Sequence, residues 1–350
     1  MSREIALDNI MLRPSNAWAH TEYSLEYHIN YCRSLTGKDA STMEGNRALF
    51  DALGFDFMWR TQDGVYGDWL AHGRATDMGH AEYADAGADR REPVESPFRS
   101  VEEVWAFDPV AEYGLPSFDE QVAAYEELNR EARRNYPHQL TTGGYYKTVV
   151  SGAIQAFGWD MFLQAAADPA KIEKVFDRIF QRTLFHMRAW AMTSAEVVIQ
   201  HDDFVWTSGA FMYPEIYRRM IIPRYAELWK PLHEAGKKVV FCSDGDYTEF
   251  AMDIVEAGAD GLSFEPCNDF SFMVERFGGS HCLVGSCVDC RDLTFGSWDK
   301  VKQDIDRTIE LLGKCRGAII CVGNHLPANI PDEMINRYMR ELRPRLQRRK

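Results

Sequence analysis

Side chains that could transfer protons or bind a metal follow several short apolar runs in this sequence. The run "VVFC" at 239–242 is followed at once by Ser243, Asp244, Gly245 and Asp246. The ends of the other runs supply His201, Asp202 and Asp203; Glu265; Asp289; and Asn324 with His325. Carboxylates, imidazoles and thiols are the usual general acids and bases of enzymes, and they are also common metal ligands. The chemistry to consider is therefore acid–base catalysis or metal-assisted transfer.

These groups can act together only if the runs that precede them are neighbouring parallel strands. The carboxyl ends of such strands would then bring six carboxylates, two imidazoles and the thiol of Cys242 to one face. We call this expected site the mouth. Carboxylates that crowd together repel one another unless protons or a cation relieve them, so we expect perturbed pKa values at the mouth.

The elements that would position these groups recur along the second half of the chain. Apolar runs at 196–203, 237–246, 260–266, 281–289 and 317–325 each precede an amphipathic helical stretch. Such alternation predicts parallel strands that are buried on both faces. Five units in this span favour an α/β fold of the (β/α)8 TIM-barrel type over an open sheet. No phosphate-binding glycine motif follows any of these runs, which disfavours a nucleotide site.

The first half of the chain is less regular. Two predicted helices end at Gly37 and Gly54, where glycine suits a left-handed C-terminal cap. The first barrel strand is predicted at 55–60 and the second at 138–146, with a loop-rich insertion at 61–100 between them. We therefore expect a single domain over 1–350, in which 1–54 is a helical addition to the barrel.

Composition narrows the classes of function. The formal net charge of −14 disfavours a nucleic-acid partner, because phosphate backbones recruit basic surfaces. No apolar stretch is long enough to cross a membrane, and the N-terminus lacks the apolar core of a secretion signal. Eight cysteines without disulfide-scaffold spacing indicate free thiols in the cytoplasm. The C-x-x-C pair Cys287 and Cys290 has no matching second pair, so a zinc ribbon is not expected.

Several candidates also have an ordinary structural interpretation. Asp202 or Asp203 could cap a helix, and Asp246 could do the same for the helix after residue 247. Cys242 could be an inert buried thiol, and His325 could be a loop histidine that binds backbone. Glu265 is harder to explain this way, because an unpaired carboxylate at the end of a core strand is costly.

Two further sets of residues are candidates for the wall of a pocket. Within the insertion, "TDMGHAEY" places Asp77, His80 and Glu82 close together beside Gly79. A loop this long often closes over a ligand, although a plain surface loop explains it as well. Tyr145 and Tyr146 follow a predicted strand and would line the pocket.

Five segments together resemble one known family. They are "DDFVWTSGAFMYPEIYRRMIIPRYAEL" (202–228), "FCSDGD" (241–246), "DGLSFEP" (260–266), "GSCVDCRDLTFGS" (285–297) and "GNHLPANIPDE" (323–333). In order and spacing they are similar to the uroporphyrinogen decarboxylase (URO-D) superfamily. That superfamily contains the decarboxylase of haem synthesis and zinc-dependent methyltransferases that move methyl groups between corrinoid proteins and thiols. The resemblance implies a TIM barrel and one of these two chemistries.

The sequence departs from both branches of the superfamily. The decarboxylase's R-Q-A-G-R signature has no counterpart, since "RPSNAWAHTEYSLEYH" occupies that region at 13–28. An acidic mouth should also repel a polycarboxylate porphyrinogen. In the methyltransferase branch, an H-x-C pair and a later cysteine hold zinc. The resemblance places Cys242 and Asp244 at the first two positions and Asn324 at the third, with His325 beside it.

The resulting expectation is a metal-assisted methyltransferase that works with a corrinoid protein or another methyl carrier. Zn²⁺ or another divalent ion would be held by Cys242, Asp244 and His325. Asp202, Asp203, Glu265 and His201 are the expected catalytic residues, and the expected substrate-binding residues are Tyr145, Tyr146, His80, Asp246 and Asn324. By analogy with the superfamily, a homodimer is also plausible.

Two alternatives stay open. The first is a metal-free decarboxylase of uroporphyrinogen or another acid. The second is a non-catalytic partner that binds a corrinoid or tetrapyrrole within a methyl-transfer complex.

Overall fold

A computed structural model describes residues 2–61, 74–76, 78, 82–83, 89–90 and 95–348. Its strands are β1 (Ala19–His20), β2 (Phe57–Met58), β3 (Glu82–Tyr83), β4 (Asp89–Arg90), β5 (Leu140–Thr141), β6 (Gly143–Tyr146), β7 (Val197–His201), β8 (Lys238–Cys242), β9 (Gly261–Ser263), β10 (Cys282–Val284) and β11 (Gly317–Ile320). Strands β3 and β4 form an antiparallel pair, and the other strands pair in parallel within one seven-stranded and one two-stranded sheet.

These two parallel sheets together supply the eight strand positions of a TIM barrel, which we call the ring. Seven strands form a continuous parallel sheet in the order β1-β11-β10-β9-β8-β7-β6, and β2 pairs in parallel with β5. Strands β5 and β6 are successive segments of the same stretch of chain, separated by Thr142. Between β1 and β2, the Asp56 amide donates to the His20 carbonyl over 2.9 Å, which joins the two parts. The predicted α/β TIM barrel is confirmed.

The prediction that the first barrel strand lies at 55–60 is wrong. Residues Phe57–Met58 do form a barrel strand, but Ala19–His20 comes before it and pairs in parallel with β11. This strand is only two residues long and lacks an apolar run. The segment predicted as a helical addition therefore contributes one strand of the barrel itself.

The helices surround the ring. Their bounds are Arg3–Ile10, Ile29–Thr36, Met43–Leu53, Val101–Ala106, Pro109–Tyr113, Phe118–Asn135, Val150–Phe157, Trp159–Ala166, Pro169–Ala191, Pro214–Ile216, Ile222–Glu234, Ala251–Ala257, Phe270–Phe277, Cys290–Phe295, Trp298–Leu312 and Asp332–Leu342. The predicted helix ends at Gly37 and Gly54 are confirmed, since both glycines are left-handed caps with φ of 70° and 65°. Among the described residues, no helix combines the length and the apolar character that crossing a membrane requires.

Alternate residues of each strand pack on opposite sides of the ring. Ile199, Val240 and Ile319 belong to an apolar cluster inside the barrel. Their neighbours Val198, Phe241 and Ala318 belong to the larger cluster between the ring and the helices. This two-residue period decides which polar groups beyond the strand ends face the mouth and which face the helices.

The helix Arg3–Ile10 packs against the inner cluster through Ala6, Leu7 and Ile10. Its Asn9 side chain accepts a hydrogen bond from the Ala318 amide over 3.0 Å and donates to the Ala17 carbonyl over 2.9 Å. The helix backbone comes so close to β11 that a Cβ on Gly317 would overlap the Asn9 carbonyl oxygen. Only glycine fits at position 317 without moving the helix.

We expect Gly317→Ala to lower the free energy of unfolding by about 1–3 kcal/mol, the usual range for forced overpacking. Urea unfolding followed by circular dichroism measures this. Gly279→Ala is the control, because its added Cβ has no heavy atom within 4 Å. An equal loss in both variants would contradict the close approach of the helix to β11.

The long helix Pro169–Ala191 packs on the outer side of β6 through His186. The His186 ring stacks on Tyr145 at 4.6 Å between centroids, and its Nδ1 lies 2.7 Å from the Tyr125 hydroxyl. Burial, together with the nearby Arg182 guanidinium, lowers the pKa of His186 to about 3. The imidazole therefore stays neutral in the folded protein under conditions where it would be protonated in the unfolded chain.

This lowered pKa predicts a pH-dependent loss of stability. Because an unfolded histidine takes up a proton below about pH 6.5, the contribution of His186 is complete above that pH and falls as the pH drops toward 3. At pH 5 the loss is roughly 2 kcal/mol. Urea unfolding at pH 7.5 and pH 5.0 should show a smaller loss for His186→Gln than for the unchanged protein. Equal losses would show that His186 is not buried in its neutral form.

Candidate functional site

The candidate site lies at the carboxyl ends of β7 and β8. Strand β7 ends at His201, and the Asp202 amide then donates to the Cys242 carbonyl over 3.0 Å, which extends the pairing with β8. Two residues beyond Cys242, Asp244 lies opposite Asp203, and its amide donates to Asp203 Oδ1 over 2.9 Å. The carboxyl ends of barrel strands are where TIM-barrel enzymes place their chemistry.

Three side chains converge at this point. His201 Nε2 lies 2.9 Å from Asp203 Oδ1, and ligand atoms of His201, Asp203 and Asp244 all lie within 4.8 Å of one another. Asp203 is buried, whereas His201 and Asp244 are half-buried. No other group of three such ligands occurs within the described ranges of the chain. One imidazole and two carboxylates therefore form the core of the mouth.

Aromatic rings hold the imidazole in place. Tyr146 stacks on His201 with 4.0 Å between ring centroids and an angle of 20°. Its hydroxyl donates to Asp203 Oδ2 over 2.6 Å. Trp59 approaches the same imidazole edge-on, with centroids 6.0 Å apart. Sequence reasoning missed Trp59, although it lies just past β2. Counting aromatic as well as titratable residues at strand ends would have found it.

The two carboxylates have opposite pKa shifts. Burial alone would raise the pKa of Asp203, but the His201 imidazole and hydrogen bonds from His201, Tyr146 and the Asp244 amide lower it well below its ordinary value. The pKa of Asp244 is raised well above its ordinary value by burial and by the charges of Asp203 and Glu265. Asp203 is therefore the anionic partner, and Asp244 tends to hold a proton in the absence of a cation.

Glu265 connects three strand-end loops. Its Oε2 accepts from the Gly245 amide over 2.5 Å, and its Oε1 accepts from Asn324 Nδ2. The amide of His325 donates to Asn324 Oδ1 over 2.6 Å. Two predicted site residues, Glu265 and Asn324, thus lie together at the edge of the mouth and join the loops after β8, β9 and β11.

Two of the three predicted metal ligands are not among the three residues whose ligand atoms converge. The exposed His325 places its Nδ1 against the Ser24 hydroxyl, toward the N-terminal segment. Cys242 is 7% exposed and belongs to the inner apolar cluster, one layer below Asp244. Burial, with the charges of Asp244 and Asp203, raises the pKa of the Cys242 thiol well above its usual range. Of the predicted ligand set, only Asp244 is in the group.

Asp202 faces away from the mouth. Its buried carboxylate accepts from the amides of Val149, Val150 and Ser151 over 2.8–3.2 Å. It also accepts from the Ser151 hydroxyl over 2.6 Å and from the Tyr225 hydroxyl over 2.7 Å. Asp202 therefore anchors the start of the helix Val150–Phe157, and its oxygens are occupied by these partners.

The remaining predicted site residues are dispersed. Tyr145 is fully buried on the helix side of β6, so it does not line the mouth. Asp246 accepts from the Thr248 amide over 3.0 Å in a local turn, but the N-cap of the helical turn Thr248–Phe250 is Tyr247, so Asp246 lies one residue before the cap. His80 and Asp77 lie outside the described residues, and the side chain of Glu82 is likewise not described.

The converging group fits a divalent cation. With metal–ligand bonds of about 2.1 Å, neighbouring ligand atoms lie roughly 3.0–3.4 Å apart in octahedral or tetrahedral geometry, so these three side chains would draw closer together around an ion. A cation would also offset the repulsion that raises the pKa of Asp244. The donor set contains no thiolate, and this favours a harder ion environment than a cysteine-rich zinc site.

Comparison with solved structures supports the fold. A methyltransferase from Methanosarcina mazei aligns over 97% of this chain and 98% of its own, with a TM-score of 0.63 and 15% identity. A xylose isomerase-like TIM-barrel protein from Mycobacterium smegmatis covers 94% and 98% of the two chains, with 11% identity. Its TM-score of 0.36 supports no conclusion. No curated protein matches the sequence.

The family itself is established by the sequence. The model of the uroporphyrinogen decarboxylase (URO-D) family matches residues 93–344, which include β5 to β11 and every residue of the mouth except Trp59. The chain belongs to the uroporphyrinogen decarboxylase (URO-D) family.

Proposed function

We propose that this protein is a metal-assisted methyltransferase that works with a corrinoid protein or another small methyl carrier. The observation that carries the proposal is the convergence of His201, Asp203 and Asp244 within 4.8 Å at the carboxyl end of the barrel. The fold shared with a methyltransferase is consistent with it. URO-D family membership alone does not distinguish methyl transfer from decarboxylation.

His201, Asp203 and Asp244 would hold the cation, with Glu265 close enough to orient the loop that carries Asp244. A bound divalent ion supplies Lewis acidity, which keeps an acceptor thiol or hydroxyl deprotonated at neutral pH. The chain's own part is to hold the ligands in position. Asp203 accepts from His201, Tyr146 and the Asp244 amide, so its position is fixed on three sides.

The ligand set also bears on the acceptor. Because Cys242 lies in the inner apolar cluster, the protein supplies imidazole and carboxylate rather than thiolate donors. Fewer thiolate ligands leave less negative charge on a metal-bound acceptor, which lowers its nucleophilicity. We therefore propose that the acceptor or the metal differs from that of the thiolate-rich zinc enzymes in the superfamily.

The metal site predicts stoichiometric binding. We expect about one divalent ion per chain, measured by mass spectrometry after purification without chelators. His201→Ala, Asp203→Asn and Asp244→Asn should each weaken binding at least 10-fold, since each removes a direct ligand. Asp119→Asn makes the same chemical change at an exposed helix position and should bind like the unchanged protein. Equal metal content in all five proteins would contradict the assignment.

Methyl transfer predicts a metal-dependent reaction with methylcobalamin. Its absorbance change in the presence of a panel of thiols and other acceptors measures the rate. Dialysis against a chelator should abolish the rate, and a divalent ion should restore it. Asp203→Asn should lower the rate at least 100-fold, whereas Asp119→Asn should not change it. Metal binding without turnover with any donor would favour the non-catalytic role in a methyl-transfer complex.

One observation favours a second function, decarboxylation without a metal. Burial and the charges of Asp203 and Glu265 raise the pKa of Asp244, which favours its protonated form beside the anionic Asp203, and such a group can protonate a carbanion-like centre. Metal-free protein is assayed for decarboxylation of uroporphyrinogen or of a simpler carboxylic acid. Activity that is lost in Asp244→Asn would support the decarboxylase function. Metal-free protein without such activity would exclude these acids as substrates.

A further inference from the structure

We propose that Tyr146 is a positioning residue that sets the geometry of the His201–Asp203 pair, an inference that rests on the proposed metal site. Tyr146 makes two separate contacts with the pair. Its ring covers the imidazole of His201 at 4.0 Å, and its hydroxyl donates to Asp203 Oδ2 over 2.6 Å. One side chain therefore restrains two of the three ligands.

The contact with Asp203 determines which carboxylate oxygen faces the other ligands. With Oδ2 bound to Tyr146, Oδ1 points to His201 Nε2 and to the Asp244 amide, each 2.9 Å away. The terminal torsion of an aspartate has a broad energy minimum, so without the phenol the carboxylate could rotate. Partners of this kind hold ligands in orientation, and their removal commonly weakens metal binding 10–100-fold.

The stacking contact restrains the imidazole. His201 stacks on Tyr146 and also contacts Trp59 at a near-perpendicular angle of 88°, so both rings limit rotation of the imidazole. Register in the sheet sets this up, because Tyr146 of β6 lies directly opposite His201 of β7. Tyr145, one residue earlier, lies opposite Gln200 and faces the helices instead.

Tyr146 is itself held by the turn that follows it. The Lys147 amide donates to the His201 carbonyl over 3.0 Å, and Lys147 adopts a left-handed backbone with φ of 61°. That conformation is unfavourable for a residue with a side chain, so it persists only where the surroundings enforce it. Just beyond this turn, Asp202 restrains the chain by binding the amides of 149–151. The Lys147 ammonium also lies 4.8 Å from the Tyr146 ring centroid.

Three variants separate the two contacts. Tyr146→Phe removes the hydrogen bond and keeps the ring, Tyr146→Leu removes both, and Tyr145→Phe deletes a hydroxyl on the opposite face of the same strand. Affinity for Zn²⁺ and Co²⁺ is measured by competition with a chromophoric chelator. We expect Tyr146→Phe to bind at least 10-fold more weakly with unchanged stoichiometry, Tyr146→Leu more weakly still, and Tyr145→Phe normally.

A second measurement does not depend on a metal. In metal-free protein labelled at histidine, the ring proton signals of His201, assigned with His201→Gln, should be shifted upfield by the stacked ring. The shift should persist in Tyr146→Phe and disappear in Tyr146→Leu. Urea unfolding of every variant checks that the fold is intact.

The outcomes are distinct. One outcome is that Tyr146→Phe binds metal as tightly as the unchanged protein while Asp203→Asn binds it poorly. This outcome would overturn the positioning role of Tyr146 and support the metal site. If the unchanged protein binds no metal, the proposed function fails, and the His201 signals alone decide the role of Tyr146. Unaltered signals in Tyr146→Leu would then reject it.

Discussion

The carboxylate of Asp202 organises the region around the mouth. It is fully buried, and it binds three consecutive backbone amides at the start of the helix Val150–Phe157 together with the hydroxyls of Ser151 and Tyr225. A buried carboxylate is costly unless such partners satisfy it, and here they do. These hydrogen bonds restrain the chain just after the turn at Lys147. The turn follows Tyr146, which contacts both His201 and Asp203. The arrangement of the candidate site thus depends on a residue that does not face it.

The mouth carries an electrostatic conflict that its function can use. Asp203 and Asp244 share one side of the barrel with Glu265, and burial intensifies their mutual repulsion. The conflict is relieved in one of two ways, by a proton on Asp244 or by a cation among the three ligands. A proton on Asp244 is consistent with acid catalysis, and a cation is consistent with metal-assisted transfer. The two candidate functions therefore correspond to two ways of relieving the same repulsion between carboxylates.

Much of the architecture was predictable from the sequence. Strands β7 to β11 coincide with apolar runs that end in polar residues, and the barrel follows from their alternation with helices. The two-residue strand β1 was not predictable, because Ala19 and His20 form no apolar run and pair only once β11 exists. The role of the insertion at 61–100 as a pocket wall stays a prediction, because most of the insertion lies outside the described residues.

The candidate ligands were harder to predict, because residue type and position along the chain do not say which side of the strand a side chain faces. Alternate residues of a strand face opposite sides, and this alternation decides the question. Continuing the alternation of β7 places Ile199, His201 and Asp203 on the inner side and Asp202 on the other. The alternation of β8 likewise places Val240, Cys242 and, beyond the strand, Asp244 on the inner side, and Cys242 packs in the inner apolar cluster. The same rule separates Tyr146 from Tyr145. If the side-chain alternation is continued beyond the strand ends, it favours Asp203 and Tyr146 over their neighbours as residues of the mouth. The distance of His325 from the group depends on loop conformation, which no periodicity encodes.

The adjacency of Asp202 and Asp203 has an evolutionary consequence. The anchoring residue Asp202 and the proposed metal ligand Asp203 are consecutive in the chain, and their side chains project to opposite sides. Substitutions at position 203, or at 244 after the neighbouring strand, can therefore change the donor set while residue 202 keeps its contacts with the backbone. A barrel can change its reaction without losing its fold when the two roles belong to different residues. Here the two residues are adjacent in the chain.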